Sequence, residues 1–143
     1  MSHYELFFDG SNKPTHIGYG WVLLENDVVI EEGSGRGSFS KNSNNVAEYC
    51  ALGFGLARFV KSNRNLSDCT LQIYGDSMLV VNQINREWAC KTPHLRPLRD
   101  NCWDFWKKLN CSHKAISWIP REQNKLADAL SRNTKKIVLW TDV

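Results

Sequence analysis

No apolar run in the 143 residues approaches the ~18–20 needed to cross a bilayer, and Met1–Glu5 lacks the basic and apolar regions of a secretory leader. A membrane partner is therefore not expected, and a soluble, cytoplasmic protein is. Cysteine pairing motifs are also missing. Cys50, Cys69, Cys90, Cys102 and Cys111 form no CxxC pair and leave an odd number. Structural zinc is thus not expected, and buried or half-buried free thiols in a reducing compartment are. Charge is nearly balanced: a formal +3 permits an anionic partner without demanding one. Internal repeats and low-complexity stretches are absent. What is present is a hydrophobic fraction of 42% with six Trp, enough for one folded domain over 1–143. Its motifs lie within 4–132, followed by a tail at 133–143.

The chain is organised around Tyr4-Glu5-Leu6-Phe7-Phe8-Asp9, followed by Gly10-Ser11. Its aromatic and aliphatic filling suits a strand buried on both faces, ending on a carboxylate where Gly10 turns the backbone away. Leu71–Gly75 followed by Asp76-Ser77 repeats the design. Gly18–Leu24, an Asn26-Asp27 turn and a strand from Val28 toward Gly35 complete an antiparallel meander. Val46, Tyr49, Cys50, Gly53, Leu56, Ala57 and Val60 form the apolar stripe of a helix. A short helix is expected over Met78–Ile84, and a helix of about four turns over Leu95–Leu109. A strand over Ala115–Ile119 precedes a last helix, Asn124–Arg132, with Leu126, Ala127 and Leu130 inward. Lys135–Trp140 is apolar enough to dock somewhere. This order predicts an α/β fold: a five-stranded mixed sheet, three antiparallel strands and then parallel ones, with helices on both faces. A right-handed crossover lays the Asp76 strand beside the Asp9 strand.

Four carboxylates each have an ordinary explanation. Asp9-Gly10 is turn chemistry; Asn45-Val46-Ala47-Glu48 matches a capping box; Asp76 suits an N-cap; Asp128 suits a solvated helix face. Together they point elsewhere. Asp9 and Asp76 lie at strand ends that the crossover brings together, Glu48 sits in the first turn of a helix packed on that sheet, and Asp128 shares a face with Asn124. Converging acids without a basic partner make a poor stability device and a good cage for hard divalent cations. Two such ions about 4 Å apart suit hydrolysis of a phosphodiester.

Phe7-Phe8-Asp9-Gly10-Ser11, Asn44-Asn45-Val46-Ala47-Glu48-Tyr49-Cys50-Ala51-Leu52, Tyr74-Gly75-Asp76-Ser77, and Trp118-Ile119-Pro120-Arg121-Glu122 with Asn124, Ala127 and Asp128, in that order, resemble type I ribonuclease H. The resemblance runs from about Tyr4 to Arg132. It implies a ribonuclease H-like fold and a two-metal-ion endonuclease that cuts the RNA strand of RNA/DNA hybrids to 5′-phosphate and 3′-hydroxyl ends. Mg²⁺ is the implied cofactor, with Mn²⁺ as alternative. Carried onto this chain, Asp9 bridges both ions, Asp128 helps hold the ion that activates water, and Glu48 and Asp76 hold the ion near the leaving oxygen. Glu48 also lies where the family contacts a ribose 2′-hydroxyl. Gly10, Ser11, Asn44 and Asn45 match positions lining the RNA minor groove, and Asn124 supports the Asp128 region.

Two departures stand out. The loop Pro120-Arg121-Glu122-Gln123 lacks the histidine carried by many members, as in the compact archaeal branch, which makes Arg121 a candidate. The Lys-rich protrusion of larger members is reduced to Arg86–Arg99, which is either a smaller handle, with Trp88 against a deoxyribose and Lys91 or Arg96 on phosphate, or a solvated connection whose Trp packs on the core. A nucleic-acid-binding module without turnover is the competing class, disfavoured because a polyanion binder gains nothing from clustered acids. Double-stranded RNA and RNA–DNA junctions are alternative substrates, and a monomer is expected.

Overall fold

The computed structural model describes residues 1–133, so the apolar Lys135–Trp140 tail lies outside the described residues. Its elements are β1 (His3–Asn12), β2 (Ile17–Glu25), β3 (Val28–Gly37), α1 (Asn44–Val60), β4 (Thr70–Gly75), α2 (Met78–Ile84), α3 (Arg96–Lys107), β5 (His113–Trp118) and α4 (Lys125–Arg132). Short 3₁₀ turns at Pro93–Leu95 and Arg121–Gln123 lead into the last two helices. The strands form one five-stranded sheet in the order β3-β2-β1-β4-β5. β1, β2 and β3 pair antiparallel; β4 and β5 join in parallel. The β2–β3 hairpin closes on Asn26 and Asp27, both at positive φ (49° and 71°). Two left-handed residues match the twist of paired strands, and Asn and Asp tolerate that region.

β1 departs from expectation in two ways. It does not stop at Asp9: Gly10, Ser11 and Asn12 continue the ladder against Tyr19, Gly18 and Ile17 of β2. Only the parallel ladder to β4 ends early, at Phe8 opposite Gly75. Nor is β1 buried on both faces. Tyr4, Leu6 and Phe8 are buried, whereas Glu5 and Phe7 between them are only half-buried. α1 spans the first face, where Gly55 lets the helix rest on Leu6 and Trp21. The short α4 packs on the other against Gly18 and Gly20, leaving part of that face open.

The core lies between the sheet and α1, built from Leu6, Phe8, Tyr49, Leu52, Leu56, Leu71 and Ile73, all essentially inaccessible. Burying one such aliphatic side chain contributes about 1.5–3 kcal/mol. α3 packs across α1 through Leu98, Cys102 and Phe105. It is shorter than the four turns the apolar spacing suggests: Pro97 has no N–H to donate to the Pro93 carbonyl, so only a 3₁₀ turn precedes Arg96. In α4 one of the three positions expected inward, Leu126, departs. Leu126 is 60% exposed, Leu130 is half-buried, and Ala127 and Ser131 face the sheet. Small residues fit there because the α4 backbone approaches β2 directly: a Cβ on Gly20 would lie 2.6 Å from the Ala127 carbonyl oxygen.

Gly10 is needed for proximity. A Cβ there would sit 2.4 Å from the Ala47 carbonyl carbon and from the Glu48 nitrogen. Backbone atoms cannot step aside, so Gly10→Ala should push α1 off β1 and lower stability by about 1–3 kcal/mol in urea unfolding. An unchanged midpoint would mean that the helix does not depend on this approach.

Candidate active site

Four elements converge where β1 and β4 part. Because the parallel ladder ends at Phe8 and Gly75, the next residue on each strand, Asp9 and Asp76, stands beside its counterpart. Glu48 enters from the second turn of α1. Asp9, Glu48 and Asp76 each offer an oxygen within 4.8 Å of the others.

The ordinary explanations for these acids fail one by one. Ser43, not Asn45, caps α1: its hydroxyl accepts from the Val46 N–H at 3.2 Å, so Glu48 takes no part in a capping box. Ser77 caps α2 in the same way, accepting from the Val80 N–H at 3.2 Å, which frees Asp76. Asp9 lies within a continuing strand rather than a turn.

The electrostatics match the geometry. Burial, joined by the charges of Asp76 and Asp128, pushes the Asp9 carboxyl up to about 7, although the Gly10 N–H donates to Asp9 Oδ1 at 2.9 Å. Burial and then the Asp9 charge hold Glu48 well above the usual carboxylate range. Glu48 Oε2 is buried without a hydrogen-bond partner. An orphaned, buried oxygen beside two more carboxylates is costly alone and well suited to a hard cation, which takes oxygen ligands. The residues therefore fit a divalent metal.

Asp128 lies outside the three-oxygen group but close enough to Asp9 for the two carboxyls to influence one another. Arg132, one turn later on α4, donates from Nε to Asp128 Oδ1 at 2.8 Å. Partial burial works to raise Asp128, but the Arg132 hydrogen bond and charge, helped by Arg121, hold it below the usual range. Arg132 lines the acid cavity, as do Lys13 and Asn12. Sequence reasoning missed all three, although the i, i+4 spacing from Asp128 marked Arg132 as its partner.

The remaining candidates divide. Gly10, Ser11, Asn44 and Arg121 line the same cavity of about 200 Å³. The Ser11 hydroxyl, however, donates to the Ser131 carbonyl at 2.8 Å and so ties β1 to α4. Asn45 is half-buried and lies outside the cavity lining. Asn124 is 1% exposed. Its Nδ2 donates to the Phe8 carbonyl at 2.9 Å and to Asp76 Oδ2 at 3.3 Å, so it braces the two strand ends. It also begins α4, where its carbonyl accepts from the Asp128 N–H at 3.0 Å. Trp118 Nε1 donates to the Asp76 carbonyl at 3.2 Å, fixing that end of β4. Trp88 does not pack on the core; it is 47% exposed on the connection after α2. Arg86 and Arg99 both stack on Trp103, at 3.9 and 4.4 Å from the ring centroid.

Comparison with known proteins agrees with this geometry. A family profile described as "Reverse transcriptase-like" matches residues 7–134. Ribonuclease HI of Halobacterium salinarum is 31% identical over 135 residues, covering 87% of this chain and 60% of that protein. The N-terminal RNase H domain of Rv2228c from Mycobacterium tuberculosis superposes with a TM-score of 0.80 at 27% identity, covering 93% of each chain. LC11-RNase H1, solved in complex with RNA/DNA hybrid, gives a TM-score of 0.81 at 25% identity, covering 92% of this chain and 95% of that one. The chain spans 60% of the halobacterial relative and 33% of the full-length mycobacterial one.

Carboxyls raised in the folded state favour folding only while protonated. That contribution is complete below their unfolded values near 4 and fades as pH rises toward about 7. Asp9→Asn should therefore raise the Tm of the protein in EDTA by several degrees at about pH 8, with the gain vanishing near about pH 4. A gain independent of pH in thermal melts would show that charge repulsion is not its source.

Proposed function

The chain belongs to the type I ribonuclease H family, and on that premise we propose that it is a metal-dependent endonuclease hydrolysing the RNA strand of RNA/DNA hybrids. One observation carries the proposal: three carboxylates that each offer an oxygen within 4.8 Å of the others, one of them, Glu48, with a buried oxygen lacking a hydrogen-bond partner. A protein that only held a polyanion would gain nothing from that arrangement.

Asp9, Glu48 and Asp76 would hold divalent cations, Mg²⁺ with Mn²⁺ as alternative, and Asp128 would complete the set. Such ions, when bound, supply an activated water and stabilise the leaving 3′ oxygen, giving 5′-phosphate and 3′-hydroxyl ends. The chain's own residues prepare the rest. Gly10 N–H fixes the orientation of Asp9, and Asn124 and Trp118 fix Asp76. Arg121, exposed at the cavity edge, places a cation beside the negative charge that grows on the phosphate, the role left vacant by the missing loop histidine. Lys13, Asn44 and the Gly10 backbone line the cavity and would meet a minor groove with its 2′-hydroxyls, the feature that separates RNA from DNA. Exposed Trp88 would meet the sugar of the DNA strand.

Cleavage of an end-labelled RNA/DNA hybrid, with Mg²⁺, Mn²⁺ or EDTA, tests the proposal. Internal cuts in the RNA strand are expected, requiring metal and lost by about 10²–10³-fold or more in Asp9→Asn, the scale for removing one element of preorganised electrostatics. Binding of hybrid without cutting under either metal would overturn it, and equal cutting of double-stranded RNA would widen the substrate class. Arg121→Ala should lower turnover about tenfold, the worth of one charge-assisted contact, with little change in KM. Unchanged turnover would remove Arg121 from the mechanism.

A further inference from the structure

At the end of the sheet remote from the acids, two loops are laced together by side chains. Asn65, 9% exposed in the segment between α1 and β4, donates from Nδ2 to the Lys108 carbonyl at 2.9 Å. Its Oδ1 accepts from the Asn110 N–H at 2.7 Å, and its own carbonyl accepts from Asn110 Nδ2 at 3.2 Å. Ser112 completes the lacing: its N–H and its hydroxyl both donate to the Cys69 carbonyl at 3.0 Å. Held between these contacts, Cys69 and Cys111, 42 positions apart in sequence, bring their sulfurs to 3.0 Å. Cys69 is buried and Cys111 is half-buried. Cys50, Cys90 and Cys102 are buried elsewhere, and the Cys102 thiol donates to the Tyr49 carbonyl.

We propose that Cys69 and Cys111 form an oxidisable pair, a modification site at which a disulfide oxidant such as glutathione disulfide closes an intramolecular cross-link between the two loops. A disulfide bond needs the sulfurs about 2.05 Å apart, so they must close by about 1 Å, and the backbones carrying them are already tied. Cys111, the more accessible thiol, reacts first. It gives its proton to solvent, its thiolate attacks glutathione disulfide, the S–S bond of the oxidant breaks, and one glutathione leaves. Cys69, deprotonated in turn, attacks the Cys111 sulfur; the Cys69–Cys111 bond forms, the Cys111–glutathione bond breaks, and a second glutathione leaves. Two protein thiols are oxidised and one glutathione disulfide is reduced to two glutathiones. Burial pushes the Cys111 thiol up to about 12 despite the nearby Lys114. Because only thiolates attack, closure is slow at neutral pH.

The test is incubation of the reduced full chain with glutathione disulfide at about pH 9, where the thiolate fraction is larger. Thiols titrated in denaturant should fall from five to three, since five cysteines less the joined pair leaves three. Proteolytic mapping should recover one peptide joining Cys69 to Cys111, in a monomeric product lighter by two hydrogens. The Tm should rise by about 10 °C, the scale for closing a loop of this length in the unfolded chain, and return on reduction with dithiothreitol. Cys111→Ser should abolish the shift, and Cys69→Ser should trap the glutathione adduct on Cys111. Five thiols surviving prolonged oxidation would overturn the proposal, as would a bond within another pair, a two-chain product, or a persistent Cys111–glutathione adduct with Cys69 free in the wild type.

Discussion

The parallel ladder between β1 and β4 ends at Phe8 and Gly75, and on both strands the following residue is an aspartate. Backbone register thus forces two like charges together, and much of the surrounding structure serves to keep them there. Asn124 bridges the two strand ends with a single amide group. Gly10, lacking a side chain, lets α1 approach closely enough to bring Glu48 over the same point. Opposite charge is kept at one remove, Arg132 being engaged with Asp128. Among the described residues no Lys or Arg forms an ion pair with Asp9, Glu48 or Asp76, although Lys13, Arg121 and Arg132 line the cavity around them.

This concentration was legible in the sequence because strands that end in Asp, joined by a right-handed crossover, leave few alternatives for where the acids go. The sheet order follows from the same rule. Less legible were features that depend on backbone proximity. Ser43 caps the helix that carries Glu48, and Ser77 caps the helix that follows Asp76, so only the geometry separates cap from site. The continuation of β1 through Gly10 and Ser11 was hidden because glycine and serine read as a turn, whereas β2 simply keeps pairing with them. Leu126 looked like core by its spacing, yet α4 lies against Gly18 and Gly20 through Ala127, Leu130 and Ser131, which leaves Leu126 outside the contact.

The two ends of the sheet do different physical work. At the acid end, unsatisfied oxygen and raised carboxyls store electrostatic cost in the folded protein. At the other end, amide-to-backbone contacts of Asn65 and Asn110 satisfy the loops that return the chain to β4 and β5. β4 and β5 run between these ends in parallel register.

The connection after α2 belongs to neither end. Asn85 to Ala89 are all exposed, Arg86 takes the left-handed conformation at φ 63°, and the chain regains the core only at Cys90. The entropy of closing a loop grows only with the logarithm of its length, and exposed tips accept insertions most readily. To an engineer this stretch is a socket: a longer basic segment could be spliced between Arg86 and Ala89 and would leave the strands and carboxylates on the same scaffold. Under the proposed function, reach along a substrate and chemistry at its backbone would be separately adjustable parts of this architecture.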